Sequence, residues 1–499
     1  MRTPQLTSRR KTLAILGSSG LALALAACGQ AAAGVTTPAP SQSAAAPAAP
    51  TIAPTAAPAA AVATATTVSS ASSAASASAV ATATTAPVTS AASSVAKQTT
   101  IRVLFWADGA DMNLFPKWTQ QFTQAVPSIK VEVDGVPGKD YHTKLKAQIS
   151  AGDPPDFFDD NASPQYAYLK VLTPLETYVA RDKIDLNNYW SVSVNAKKWQ
   201  GQLVAFPAHT GAKALVYNVD LLKAAGLPDP NDLFAADKWD WQAFLDTCQK
   251  LSKQQGGQRV QFGMTDVGDY FNWLAENKAS VLSADLKTVT ITEPNAVEAI
   301  QYMQDLIWKH HVVPSADEKK ALPAGTDVWG SSKAAMFQGW DSWDSYDKEV
   351  GGHFTWDAVP LPKGTVMGSL GGTNGWNIPS GSKLKDESWQ LIKFISTSMD
   401  IQTEIAAKLE IPALKAAADS YFSSADAASS PPKHKKLATL DPYDKGYLYN
   451  AERFTFPKWD EASAVIGKEL GLVWSNQQSA QDACQKIAAP LEAIVKSLG

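Results

Sequence analysis

The chain holds 499 residues, 44 of them basic and 48 acidic, for a net charge of −4 at neutral pH. The longest basic cluster is Lys433-His434-Lys435-Lys436, so the composition argues against nucleic acid or anionic lipid as partners. Three cysteines without Cys-x-x-Cys, and six histidines without His-Glu-x-x-His spacing, give no support for a metal or any other cofactor.

Arg2, Arg9, Arg10 and Lys11 precede a weakly apolar run, Thr12–Ala27, that ends in small residues. A positive start and an apolar stretch too short to span a bilayer predict a cleavable export signal over 1–27. Leu25-Ala26-Ala27-Cys28 resembles the lipobox of bacterial lipoproteins. The resemblance implies that Cys28 becomes a lipidated N-terminus, anchored to the outer face of the cell membrane without crossing it; the alternative is a secreted protein with a chance cysteine. Ser8-Arg9-Arg10-Lys11-Thr12-Leu13 resembles a twin-arginine signal, with Thr12 and Ala14 where Phe and Lys are usual, and leaves the export route open. Residues 29–96 carry no charged and no aromatic side chain and are mostly Ala, Ser, Thr, Pro and Val. Such a segment buries too little surface to offset its ordering entropy. Residues 28–98 therefore read as a disordered tether, with a coil span of roughly 45 Å.

Composition changes at Lys97, and all 16 tryptophans lie beyond Phe105. Thr100–Trp106 is β-branched and apolar, a strand. Asp111–Ala125 sets Phe115, Trp118 and Phe122 on one helical face, and Ile129–Val133 alternates as a second strand. A helix over Asp140–Ala151, closed by Gly152, leads through Asp153-Pro154-Pro155-Asp156 into a third strand at Phe157-Phe158. Strands at Leu203–Pro207, Ala214–Asn218 and Phe354–Pro360 follow. Helices begin at Asp240, at Glu293-Pro294, over Leu384–Ser398 and over Asp482–Leu498. The alternation predicts an α/β fold with a largely parallel sheet. Cys248 and Cys484 fall on apolar helical faces and read as buried thiols, their pairing not readable from sequence.

Several ordered motifs carry a resemblance over about Thr99–Gly499: Val126-Pro127-Ser128-Ile129-Lys130-Val131, Ile149–Asp156, Leu172-Thr173-Pro174-Leu175, Leu215–Leu222 with Ala225-Gly226-Leu227, and Lys333-Ala334-Ala335-Met336 before Gly339-Trp340. Together they resemble the extracellular solute-binding proteins of ABC importers, in the sugar-binding family that includes maltose-binding protein. The resemblance implies a periplasmic-binding-protein-like fold of type II, with two α/β lobes, a cleft and hinge crossings. Lobe one would take about 99–208 and 365–410, and lobe two about 213–362 and 415–499. The crossings would fall near His209–Ala212, Lys363–Gly368 and Glu410–Leu414. It further implies a monomer that delivers its solute to permease subunits, with the ligand favouring the closed form.

A sugar requires flat aromatic faces against its C–H patches and planar polar groups for its hydroxyls. At the positions that the resemblance marks, Trp106 and Asp108 follow the first strand, at a carboxyl end where open α/β sheets place ligands; Trp106 reads equally as core. Asp160 and Asn161 follow the third strand, and maltose-binding protein has an aromatic residue where Asp160 stands. His209 and Thr210 lie at the first crossing, His209 serving either a ligand or a structural hydrogen bond. Tyr270 matches an aromatic ligand-contacting segment, while Phe271 and Trp273 read as readily as core. Trp340 stands where the family places a stacking tryptophan, with Asp341 and Trp343 as neighbours. Gly372, Thr373, Asn374 and Trp376 belong to a glycine-rich segment that reaches the cleft, glycine allowing close backbone approach. Trp459 closes the cleft or packs in the core. Trp118, Trp308, Trp389 and Trp474 read as core.

Two other classes compete. A secreted glycan-active enzyme needs two facing carboxylates, which no motif nominates; a structural or adhesive lipoprotein predicts repeats or an all-β pattern, and neither occurs. Within the receptor class, a glycerol phosphate or polyamine is the alternative to a mono- or oligosaccharide. The scarcity of arginines, Arg102, Arg181, Arg259 and Arg453 beyond the signal, argues against an anionic ligand.

Overall fold

The strand expected after the compositional break is Thr99–Trp106 (β1), and it is apolar on both faces: Ile101, Val103, Leu104 and Phe105 are all buried. That pattern belongs to a strand covered from both sides. The computed structural model describes residues 98–498 apart from 109, 110 and 325. The expected signal, Cys28 and the tether lie outside the described residues. Helix Asp111–Ala125 spans the expected residues and lays Phe115, Trp118 and Phe122 on the sheet. Strands Ile129–Val136 (β2) and Phe157–Asp160 (β3) pair with β1 in parallel, β2 in register from Thr99↔Ile129 to Trp106↔Val136.

The chain then makes a short ribbon of Lys198–Trp199 (β4) and Gln202–Leu203 (β5) before entering Phe206–Ala212 (β6). A single residue, Lys213, separates β6 from Ala214–Asn218 (β7), which belongs to a different sheet. That second sheet is completed by Lys253–Gln255 (β8), Gln258–Met264 (β9), Ala334–Gly339 (β10) and Trp356–Val359 (β11), in the order β11-β7-β10-β9-β8. Residues 360–368 carry the chain back to Ser369–Asn377 (β12), followed by Ile411–Pro412 (β13) and Leu448–Asn450 (β14). The first sheet runs β13-β6-β12-β3-β1-β2, with β14 on β12.

The expectation of a largely parallel sheet is corrected. In the first sheet β12 runs antiparallel to both β3 and β6, and β13 antiparallel to β6; in the second only β9–β10 is parallel. The cause is connectivity. β12 returns from the other sheet instead of from a local βαβ crossover, so it enters from the opposite end. β14, in the stretch that the resemblance gave to lobe two, pairs with β12 of the first sheet.

Helix starts follow their local chemistry. The Asp240 side chain accepts the N–H of Ala243 at 2.8 Å to open Trp241–Leu251, and Pro294 stands at the start of Pro294–Trp308. Against that last helix pack Trp459–Trp474 and Ala480–Lys496. Trp118 and Trp389 are fully buried, whereas Trp308 and Trp474 are half-buried and joined by a Trp308 Nε1–H bond to the Trp474 carbonyl at 3.1 Å. Cys248 and Cys484 are separate buried thiols, and burial raises both, Cys484 to about 11. Among the described residues no helix is long and apolar enough to cross a membrane.

Candidate ligand-binding cleft

Both sheets contribute to one cavity of about 420 Å³. The first supplies Trp106 from the end of β1, Asn161 after β3, His209 from β6, and Gly372 and Asn374 from β12; Trp340 enters from the end of β10. Asp108, Glu410, Phe454 and the polar residues Ser342, Asp344 and Lys348 complete much of the wall. A larger cavity, about 580 Å³, lies beside the second sheet, lined by Phe337 of β10 and by residues next to its strands such as Thr265 and Trp329. It includes none of the residues nominated from sequence, so the 420 Å³ space is the cleft of interest.

His209 is aimed by an irregularity. Between Thr373 and Gly375 the β6 strand has one residue more than β12, because Thr373 pairs with Thr210 but Gly375 with Pro207. Such a bulge re-aims side chains, and His209 lies inside it. Its Nδ1–H donates to Glu410 Oε2 at 2.9 Å, and its Nε2 accepts from Asn374 Nδ2 at 3.1 Å. That chain orients the amide of Asn374 in the cleft wall. At the other end, Trp106 Nε1–H and the Gly138 N–H both donate to Asp108 Oδ2, at 2.5 and 3.0 Å.

Trp340 lies over two glycines. A Cβ on Gly211 would stand 3.0 Å from its Cε3, and one on Gly372 3.1 Å from its Cη2. Larger residues at either position would push the indole away. Lys213 Nζ sits 4.7 Å from the ring centroid, and burial lowers that amine. Next to Trp340, Asp341 is buried and held well above the ordinary carboxylate range, first by desolvation and then by Glu410.

The remaining nominated residues fall outside the cavity wall. Asp160 is 2 % exposed and turned inward, accepting the Ala162 N–H at 2.6 Å and lying 3.3 Å from His142 Nδ1. It shapes the turn that presents Asn161, whose carbonyl accepts from the buried Lys197 Nζ at 2.8 Å. Burial brings Lys197 down to about 7. Thr210 and Thr373 are buried and hydrogen-bonded to each other at 2.9 Å; Thr210 also meets the Tyr443 hydroxyl at 2.7 Å. Their hydroxyls bind strands together below the cleft. Trp376 is 1 % exposed, packed on Phe115 and Phe157 and backing His209. It lies two residues beyond Asn374, about 6.8 Å along the strand, where helix Asp111–Ala125 covers the sheet. Tyr270 and Trp459 are half-buried and both pack against Phe271, Tyr270 stacked on its ring and Trp459 tilted to it. Trp343 lines a smaller adjoining cavity instead. Trp273 is core, resolving its two readings. Glu410, Phe454 and Lys197 were not nominated from sequence; no local pattern marks them.

Two further side-chain contacts join segments far apart in the chain. Lys146, on the helix Gly138–Ser150 beside β1, reaches Asp460 at 2.5 Å, and Gln165 Nε2–H donates to the Arg453 carbonyl at 2.9 Å.

The chain resembles known proteins over much of its length. Among solved structures, an ABC substrate-binding protein of Listeria monocytogenes in complex with cycloalternan superposes with a TM-score of 0.69 at 22 % identity, covering 80 % of this chain and 99 % of its own. The GacH receptor of Streptomyces glaucescens gives 0.65 at 18 % identity, with 80 % and 99 % covered. Such likenesses establish the fold, a two-lobed α/β architecture of the periplasmic-binding-protein kind. Among curated proteins, the arabinooligosaccharide-binding protein of Bacillus subtilis is 21 % identical over 224 residues, 44 % of this chain and 50 % of that protein. A probable ABC transporter-binding protein of Deinococcus radiodurans is 24 % identical over 218 residues, 40 % and 49 %. The alignments thus span about half the length of these relatives. The family model described as bacterial extracellular solute-binding protein matches residues 106–400, and the chain belongs to that family.

Proposed function

We propose that this protein is the solute-capturing component of an ABC importer and that its ligand is a carbohydrate, mono- or oligosaccharide, held in the 420 Å³ cleft. The observation that carries the reading is Trp340, a half-buried indole seated over two glycines and facing a cavity lined by Asn161, Asn374, Asp108 and the His209–Glu410 pair. A flat apolar face opposite planar polar groups suits a sugar ring, which is apolar on its faces and hydroxylated at its rim. Relatives described as arabinooligosaccharide-binding, and neighbours in complex with cycloalternan or mannobiose, support the class.

Capture follows from ligand contacts on both sheets. A sugar touching Trp340 on one side and Asn161 and Asn374 on the other binds the closed form better than any open one, and only that difference shifts the equilibrium. The closed surface is what permease subunits would read. The protein acts in this scheme as a monomer and does no chemistry on its ligand. The Leu25-Ala26-Ala27-Cys28 motif supports a lipid anchor after residue 27, with the segment to residue 98 as a tether; the change of sheet at Lys213 and the return before β12 support lobe crossings near residues 209–212 and 363–368, with a third near 410–414.

A thermal-shift screen of the protein against sugars, polyols, polyamines and glycerol phosphates tests the reading. A ligand at 100 times its Kd adds about 2.7 kcal/mol of stability. A sugar that raises the midpoint is the expected result. A shift with glycerol phosphates alone would discard the carbohydrate.

A further inference from the structure

The His209 ring lies between a carboxylate and an amide, and the two partners act on it differently. An ionised carboxylate only accepts hydrogen bonds, so Glu410 Oε2, 2.9 Å from Nδ1, fixes a proton on that nitrogen. In the neutral ring the other nitrogen is then an acceptor. Asn374 matches it, with Nδ2 3.1 Å from His209 Nε2. One N–H of the amide is taken up by the ring, and no group among the described residues donates to Asn374 Oδ1. Asn374 borders the cleft, so that oxygen is left as an acceptor for a ligand.

The amide is held this way round by His209. Asn374 falls where the register of β12 on β6 shifts, between Thr373 and Gly375, and its side chain makes no other hydrogen bond to a described residue. Turned over, an amide keeps its shape and exchanges oxygen for nitrogen. A second proton on His209 makes Nε2 a donor. Nε2–H then opposes Nδ2–H until the amide turns and offers Oδ1 to the ring, and the cleft is left with a donor where it had an acceptor.

Few charges surround the ring. Glu410 precedes β13, which pairs with β6. Asp341 follows β10 and is kept protonated well above the ordinary carboxylate range, first by burial and then by Glu410, so it adds no second anion. Tyr443 hydrogen-bonds Thr210 at 2.7 Å, and burial holds it neutral. From β12 come Thr373 and Trp376, neither of which titrates. Asp108, Asp344, Lys348 and Lys408 are the other charged groups of the cleft wall.

We infer that His209 is a positioning residue that sets specificity at Asn374: its singly protonated ring keeps Asn374 Oδ1 available to the solute, which must present a hydroxyl that donates there, and a second proton reverses the amide and weakens binding. This rests on the carbohydrate reading of the cleft and narrows it. A sugar hydroxyl supplies the donor. An oxygen that only accepts, in a carboxylate, an ionised phosphate or an ether linkage, does not. Because a hydroxyl can also turn and accept, acid weakens capture without abolishing it.

The test joins a readout of the ring to one of binding, both on the full-length protein. Long-range proton–nitrogen spectra with isotope-labelled histidine, assigned by comparison with His209→Gln, report which ring nitrogen carries the proton. The expected result is a proton on Nδ1 alone at about pH 7.5 and on both nitrogens as the pH falls towards about 5.5. Calorimetry gives Kd values for maltose, mannobiose, cellobiose and arabinobiose at the same two pH values. Those that bind are expected to do so about fivefold more weakly in acid, the worth of one neutral hydrogen bond. In His209→Gln, whose amide does not titrate, the ratio should fall below about twofold.

A proton on Nε2 at the higher pH would overturn the inference and leave the carbohydrate reading standing. So would sugars that bind with no dependence on pH, or a dependence that persists in His209→Gln and thus belongs to another group. If that variant does not fold, Asn374→Asp decides. Its carboxylate accepts whichever way it turns, so the weakening in acid should vanish, and persistence would overturn the role of the amide. Silence of all four sugars at both pH values would count against the carbohydrate reading and overturn this inference with it.

Discussion

Replacing Trp340 with alanine isolates the stacking surface of the cleft. The indole is half-buried and borders the cavity, with Gly211 and Gly372 beneath it and Lys213 over the ring. A large aromatic side chain presents 150–250 Å² in all, of which one face, roughly 80 Å², is available to a sugar ring. At about 25 cal/mol/Å² the ligand gains about 2 kcal/mol from that face, equivalent to a Kd about thirtyfold weaker after truncation. Calorimetric titration with whichever sugar the thermal screen identifies measures the change. The unfolding midpoint without ligand should fall only slightly, because the ring is not enclosed by core. An unchanged Kd would refute the stacking role. A collapse of the unliganded midpoint would refute the placement of Trp340 as a cleft residue.

Other substitutions read other parts of the account. Trp376→Ala should do the reverse of Trp340→Ala, since Trp376 is enclosed by Phe115 and Phe157: a loss of about 3–5 kcal/mol of stability is expected from denaturant titration, and a loss under 1 kcal/mol would contradict its burial. Lys197 is neutralised by burial, its value lowered to about 7 in the folded protein against about 10.4 in the unfolded chain. The unfolded state binds more protons between those values, so this residue's contribution to stability rises with pH from about 7 towards 10. Lys197→Met should flatten the curve over that window, measured as the difference between variant and wild type, and an unchanged slope would show that the amine is not desolvated. Cys248 and Cys484 are buried thiols with raised values, so neither should react with a thiol reagent until the protein unfolds. Peptide mapping after native-state labelling checks this, and rapid modification of either would contradict its packing.

Much of the architecture was legible because it depends on local pattern. The face of Phe115, Trp118 and Phe122, the Asp240 cap and the proline at 294 each act within a few residues of their element. Strand direction was not legible, since β12 is reached only after the chain has built a second sheet. The site divides the same way. Trp106, Asp108, Asn161, His209, Trp340, Gly372 and Asn374 all border the cavity, their positions having come from motifs that end strands or crossings. Asp160, Thr210 and Thr373 are polar residues in those same motifs, yet their partners turn them inward: Asp160 meets His142, and Thr210 meets Tyr443, 233 residues away. Glu410 acquires its place only because β13 pairs with β6 and brings it to His209. The bulge that aims His209 has no signature in Phe206-Pro207-Ala208-His209, because it arises from the mismatch between two strands far apart in the chain.

The most direct test of the central claim is a co-crystal structure with a sugar found by the thermal screen. The account predicts electron density for one ring against the face of Trp340, with hydroxyls in hydrogen-bond reach of Asn161 and Asn374. Density in the 580 Å³ space beside Trp329 and Phe337, with the cleft empty, would contradict it.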